Sequence, residues 1–161
     1  MFQIFFNKVF PKTRQNMCRN VVCVALLLMA NGVSAVDIEF KNPESFKKLG
    51  LPFSQAVRAG DLLFLSGQLG NAPGGLGLVE GGVEAETRQT MENIKAVLES
   101  NDLGFDRVVK CTLFLADIKE WPAVNEVYKT YFDENPPARS ALAASGLALG
   151  ARVEIECIAA Y

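Results

Sequence analysis

Two short runs, Leu62-Leu63-Phe64-Leu65 and Thr112-Leu113-Phe114-Leu115, are apolar at both alternations of a strand. Successive strand side chains point to opposite faces, so a strand with water on one side reads as alternating apolar and polar. These two runs instead require cover on both faces. The chain holds only two helical patterns, enough for one face of a sheet. The simplest cover for the other face is a second copy of the chain, because an exposed apolar face of that extent is an association surface. The sequence therefore predicts an α+β domain that is an obligate homo-oligomer, with sites shared between subunits.

The order of elements follows from the local patterns. A strand near Ile38-Glu39-Phe40 leads to Pro52-Phe53-Ser54-Gln55-Ala56-Val57, and Ala59-Gly60-Asp61 turns the chain into Leu62 to Gly67 as a hairpin. Asn71-Ala72-Pro73-Gly74-Gly75 and Glu80-Gly81-Gly82 punctuate a loop, which lacks the Gly-Lys-Ser/Thr of a phosphate loop. From Val83 the period lengthens. Thr87, Met91, Ile94 and Leu98 form a helical stripe, while Glu84, Glu86, Arg88, Glu92 and Lys95 fall mostly elsewhere. Arg107 to Ala116 returns to strand character. A second helix carries Trp121, Val124, Tyr128 and Tyr131 on one stripe, with Pro122 tolerated in its first turn. Strands over about Arg139 to Ala144 and Arg152 to Ala160 close the domain around Gly146 and Gly150.

The opening segment has a different character. Lys8, Lys12, Arg14 and Arg19 all precede the first acidic residue, Asp37, and Val21 to Ala30 is an unbroken apolar run. About ten residues are too few to span a bilayer, which takes about 20 as a helix. Val33-Ser34-Ala35 supplies the small residues of a cleavage site. Residues 1–35 thus read as a cleavable export signal, with Met17 as an alternative start and an organellar transit peptide as the competing reading. The expected protein is exported, periplasmic or secreted, meets a membrane only during export, and folds as one domain over 36–161.

Without that segment 12 basic residues face 18 acidic ones, a net charge of −6. Such a surface is poorly suited to neutralising phosphates, so no nucleic-acid partner is expected. The chain has no histidine, which excludes His-based triads, His metal ligands and imidazole acid–base chemistry. Cys111 and Cys157 each sit in an apolar run, and two isolated cysteines make no zinc site. Buried free thiols are the plain expectation; a disulfide would need their strands to be neighbours.

The chemistry concentrates near the end of the chain. Asn135-Pro136-Pro137-Ala138-Arg139 delivers a guanidinium from a stiff segment, and Arg binds a carboxylate through two parallel N–H bonds. On the last strand Arg152, Glu154 and Glu156 share one face, opposite Val153, Ile155 and Cys157. Glu154 suits the orientation of an attacking water beside a small anionic substrate. The plainer alternatives are a rim salt bridge for Arg139 and exposed edge charges for the carboxylates. Ser66 has no base near it in sequence and reads as a polar contact, and Asn125 is equally compatible with a surface helix position.

Five segments, Pro52-Phe53-Ser54-Gln55-Ala56, Leu65-Ser66-Gly67-Gln68, Val124-Asn125-Glu126-Val127-Tyr128, Pro137-Ala138-Arg139 and Arg152 to Ala159, together resemble the Rid family, the reactive-intermediate deaminases of YjgF type. The resemblance covers nearly all of Phe40 to Tyr161. It implies a chorismate-mutase-like α+β fold, a six-stranded mixed sheet with two helices on one face, assembled as a homotrimeric barrel with sites in clefts between subunits. The implied activity is hydrolysis of 2-imino acids such as 2-iminopropanoate and 2-iminobutanoate to 2-keto acids and ammonia, with no cofactor and no metal. By the same resemblance Arg139 grips the substrate carboxylate and Glu154 positions water, while Ser66, Gly67, Asn125 and the backbone at Ala141 contact the substrate. Phe53 stands where the family usually has tyrosine, and Ala141 where it often has cysteine. A lost hydroxyl contact is worth about 0.5–1.5 kcal/mol, and this departure keeps open a trimer that binds a small carboxylate without turnover, or acts as a holdase.

Overall fold

The computed structural model describes residues 35–161. The export segment expected at 1–35 lies, save for Ala35, outside the described residues. Residues 36–161 form one compact unit.

Six strands make one mixed sheet. In chain order they are β1 (Ile38–Lys41), β2 (Ala56–Ala59), β3 (Leu62–Leu65), β4 (Val108–Leu115), β5 (Ala138–Ala143) and β6 (Val153–Ala160). Their spatial order is β1-β2-β3-β6-β4-β5, antiparallel throughout except for the parallel pair β4 and β5. The hairpin predicted between β2 and β3 closes through Gly60-Asp61, where Ala59 pairs with Leu62 and Gly60 has φ of 60°. Such a two-residue turn needs a residue that accepts positive φ, the conformation glycine adopts without a steric penalty.

Helix α1 is a single turn, Glu44–Lys47, that no apolar period announces in the sequence. Helix α2 (Gly82–Glu99) buries the expected Thr87, Met91, Ile94 and Leu98. It also buries Glu86, which the amphipathic pattern leaves with the solvated residues. Helix α3 (Trp121–Tyr128) begins with Pro122 in its first turn, and supplies the crossover that a parallel pair such as β4 and β5 requires. Val124 and Tyr128 are buried, whereas Trp121 at the helix start is 40% exposed.

The core lies between one sheet face and α2 and α3. Leu63, Leu65, Cys111, Leu113, Leu115, Val153, Ile155 and Cys157 fill it from the strands, and Met91, Ile94, Leu98 and Val124 from the helices. Among the described residues, nothing buries the apolar side chains of the other face. Strand register places Ile38, Phe40, Leu62, Phe64 and Leu142 on that face, and each is at least 38% exposed. The apolar double alternation of β3 therefore resolves into one face in the core and one face open.

The expectation of free thiols is corrected. Cys111 and Cys157 stand directly opposite on β4 and β6, with Cα atoms 4.1 Å apart, and form a disulfide. The strand order that makes β4 and β6 neighbours is what brings the sulfurs together, and spacing in sequence does not reveal it. The bridge closes a loop of 46 residues in the unfolded chain. A cross-link of that span stabilises by about 2–4 kcal/mol. Equilibrium urea denaturation of Cys111→Ser/Cys157→Ser should show a midpoint lower by about 1–2 M than that of the oxidised protein; coincident curves would remove the staple from the fold's energetics.

Candidate functional site

Arg139 stands on β5 in register with Cys111, which itself faces Cys157 across β4 and β6. Residues in register share a sheet face, so Arg139 projects to the helix side. There its guanidinium lies 4.8 Å from the ring centroid of Tyr128 and 5.8 Å from that of Trp121. A cation within about 6 Å of an aromatic face is held by the ring quadrupole. Among the described residues no carboxylate forms an ion pair with Arg139, so the rim salt bridge is not what it does here.

Arg139 opens into a cleft of about 620 Å³ that is also lined by Asn125, Tyr128, Lys129, Phe132, Asp133, Pro136 and Pro137. Two polar atoms at this cleft, Asn125 Oδ1 and the Tyr128 hydroxyl, are buried without a hydrogen-bond partner. Burial pushes the Tyr128 phenol up to about 12, with the Arg139 charge opposing it, so the hydroxyl keeps its proton. A larger cleft of about 830 Å³ is walled by Asp106, Asp133 and Glu134 with Phe105, Tyr131 and Phe132. Its three carboxylates repel an anion, whereas the smaller cleft sets the cations Arg139 and Lys129 against Asp133 alone and is the one fitted to a carboxylate.

Glu154 sits elsewhere. It is an even-numbered neighbour of the buried Val153 and Ile155 and projects to the open face. Its carboxyl lies over Gly67: a Cβ placed on that glycine would come within 2.9 Å of Glu154 Cδ. No other residue type fits at Gly67 while Glu154 stays in place. Gln68 and Ile155 exchange backbone hydrogen bonds of 2.9 and 3.0 Å, which sews this segment to β6. The hydroxyl of Ser66 donates to Ser54 O at 2.6 Å and ties in the segment that carries Phe53. Phe53 is 51% exposed, its ring edge against Phe46 at 5.9 Å between centroids. Burial raises the pKa of Glu154, and the neighbouring Glu156 charge raises it further.

The predicted residues therefore fall into two groups. Arg139 and Asn125 share the helix-side cleft, and Ala141 follows Arg139 on the same face of β5, packed against the core. Ser66, Gly67 and Glu154 form the second group on the far side, and Phe53 is joined to it through Ser54, whose carbonyl accepts the Ser66 bond. One chain does not bring Arg139 to Glu154. Sequence reasoning assigned Trp121 and Tyr128 only to a helix stripe and missed them as the bed of Arg139; the stacking depends on β5 running beside β4 under α3, which no spacing shows.

Residues 47–161 match the family model described as Endoribonuclease L-PSP. The chain belongs to that family. It is 47% identical to the DfrA protein of Myxococcus xanthus over 110 residues, 67% of this chain and 84% of that one. It is likewise 47% identical over 108 residues to a 2-iminobutanoate/2-iminopropanoate deaminase of Capra hircus, covering 67% of this chain and 79% of the relative. Among solved structures, the Rid-family protein YyfA of Yersinia pestis is 41% identical, with a TM-score of 0.66 over 68% of this chain and 88% of that one. The Rid resemblance and the expected fold, a mixed six-stranded sheet with its helices on one face, both hold.

The raised pKa of Glu154 has a consequence for stability. Folding favours the protonated acid, so the contribution is fully present below the ordinary carboxylate pKa of about 4.3 and is lost as pH rises through the raised value. Glu154→Gln should therefore be more resistant to urea than wild type near about pH 7, and the advantage should vanish near about pH 4. An advantage that does not change with pH would contradict the seating of this carboxyl.

Proposed function

We propose that this protein hydrolyses 2-imino acids to 2-keto acids and ammonia, in a site assembled from the Arg139 cleft of one subunit and the Glu154 surface of another. The observation that carries this reading is the Arg139 guanidinium, braced on two aromatic rings at a cleft and without a carboxylate partner. The deaminase named among the relatives at 47% identity supports the choice of substrate. The split of the candidate residues between two sheet faces supports assembly of copies, as does the open apolar face that carries Glu154. A homotrimer is the assembly we propose.

In this mechanism Arg139 holds the substrate carboxylate by two charge-assisted bonds. Glu154, as the carboxylate, takes a proton from water while the water oxygen bonds to the imine carbon. The π electrons of the C=N bond, protonated as the iminium, pass to nitrogen as the neutral tetrahedral carbinolamine forms. Glu154 then gives the proton it took from water to the amine nitrogen, and its carboxylate takes the carbinolamine hydroxyl proton as the C–N bond breaks, releasing ammonia and leaving the ketone. A pKa raised by burial makes Glu154 a stronger base and brings its titration nearer to working pH. The balance of the reaction needs only water. Export to an oxidising compartment is part of the proposal, and the Cys111–Cys157 disulfide supports it; the imines would then come from amino-acid oxidation outside the cytoplasm.

The test is to generate imine with an amino-acid oxidase and trap it with semicarbazide, with and without this protein. Wild type should compete with the trap. Arg139→Ala should lose about 10²–10³ in kcat/KM, the worth of a bidentate charged contact, and Glu154→Gln about 10²–10⁴ in kcat. No acceleration by wild type, or equal acceleration by Arg139→Ala, would sink the reading. Mixed oligomers of the two variants should recover roughly a quarter of wild-type activity, because a site drawing on two subunits regains both groups in some pairings. Failure to complement would place both groups in sites of single chains.

The alternative of binding without turnover is favoured by one observation, the missing hydroxyl at Phe53. Thermal stabilisation by 2-keto acids without imine hydrolysis, together with hydrolysis gained by Phe53→Tyr, would establish it.

A further inference from the structure

We propose that Glu86 is a positioning residue for the water-activating half of the site: it holds together the two segments between which the Glu154 carboxyl is seated. This rests on the imine-hydrolase reading for its consequence in catalysis, though not for its geometry.

Glu86 lies near the start of α2 and is 6% exposed, in a chain whose other carboxylates are all less buried. A buried carboxylate is costly unless hydrogen-bonded. Its Oε2 accepts from the backbone N–H of Arg152 at 2.8 Å, the residue immediately before β6 and two before Glu154. The backbone of Glu86 meets the other segment. A Cβ on Gly70 would stand 2.8 Å from Glu86 Cα and 2.9 Å from its carbonyl oxygen, and Gly70 is three residues beyond Gly67. One residue therefore grips the start of β6 through its side chain and the Gly67–Gly70 segment through its main chain. The pairing of Gln68 with Ile155 lies between these two grips.

The same grip extends to the Arg139 cleft. The Arg152 side chain pairs with Glu120, its Nε donating to Oε1 at 2.8 Å. Glu120 precedes Trp121 at the start of α3, the helix that bears Asn125 and Tyr128. Glu86, Arg152 and Glu120 thus tie α2, β6 and α3 at one corner of the domain. Loss of the Glu86 bond frees the Arg152 N–H and relaxes the approach of Gly67 to Glu154. Misplacement of a reacting group by about 1 Å costs on the order of a hundredfold in rate.

The experiment compares purified wild type, Glu86→Ala and Glu86→Gln by two readouts. The first is the pH titration of the Glu154 side-chain carbon by NMR, which needs no activity. The second is kcat and KM in the imine-trapping assay. In Glu86→Ala the Glu154 titration should move down toward the ordinary carboxylate range, and kcat should fall about tenfold to a hundredfold. KM should change less than kcat, since Glu86 touches β6 and the Gly67–Gly70 segment directly and reaches the Arg139 cleft only through the Arg152–Glu120 pair. Glu86→Gln keeps an acceptor for Arg152 N–H and should restore both readouts. An unchanged Glu154 titration in Glu86→Ala, with only a lower Tm, would overturn the proposal; so would a Glu86→Gln as impaired as the alanine variant. If wild type fails to hydrolyse imines, the function reading falls while the titration still decides the positioning role.

Discussion

The alternation of β6 is the constraint on which the molecule depends. This strand runs between β3 and β4, hydrogen-bonded on both sides, and sends Val153, Ile155, Cys157 and Ala159 into the core. Every intervening residue must then face away from the helices, which fixes the direction of Glu154 by the same burial that holds the domain together. Displacement of Glu154 along or across the sheet would expose core side chains worth about 1.5–3 kcal/mol each. Arg139 is held quite differently. It sits on the edge strand β5 and owes its direction to the rings of Tyr128 and Trp121. Under the proposed function the group that moves protons thus has the stiffer mounting, and the carboxylate clamp depends on its aromatic bed for precision.

Register parity decides the rest. Cys111 is opposite both Arg139 and Cys157, so all three share the helix face, and Glu154 cannot. Under the proposed function, assembly and catalysis then become a single requirement, because only another copy can bring the Arg139 guanidinium to the Glu154 face. The apolar residues beside Glu154 on that face, Phe114 and Leu142, would serve both ends in the proposed assembly. Their burial would drive association and would also withdraw water from the carboxyl, the same cause that raises its pKa in one chain.

Much of this was legible in the sequence because periodicity records burial. The stripe of α2, the Gly60 hairpin and the charged alternation of β6 all appear where their spacing places them. What stayed hidden depends on strand order. The Cys111–Cys157 bridge and the separation of Arg139 from Glu154 follow from β6 entering the sheet between β3 and β4, and the aromatic bed of Arg139 follows from β5 running beside β4 under α3. Glu86 was hidden for another reason. Its charge marks it as solvated in any pattern, and only the free N–H of Arg152 at the head of β6 explains its place inside.

Phe53 is the departure that most bears on rate, and its neighbour Ser66 sharpens the point. The Ser66 hydroxyl already gives its proton to Ser54 O, so it can accept a hydrogen bond from substrate but not donate one to a developing alkoxide. With phenylalanine rather than tyrosine at position 53, neither of these two residues supplies a side-chain donor beside Glu154. Under the proposed function the attacking water's oxygen turns positive as it bonds to carbon, and Glu154 relieves that charge by taking a proton as the bond forms. For an imine it suffices, because the protonated C=N bond is already a strong electrophile and its nitrogen, rather than oxygen, receives the displaced electrons. On the proposed reading the residues retained are those such a substrate needs, a carboxylate clamp and one base, and a hydroxyl at position 53 would serve an oxyanion that the addition of water to an iminium does not develop.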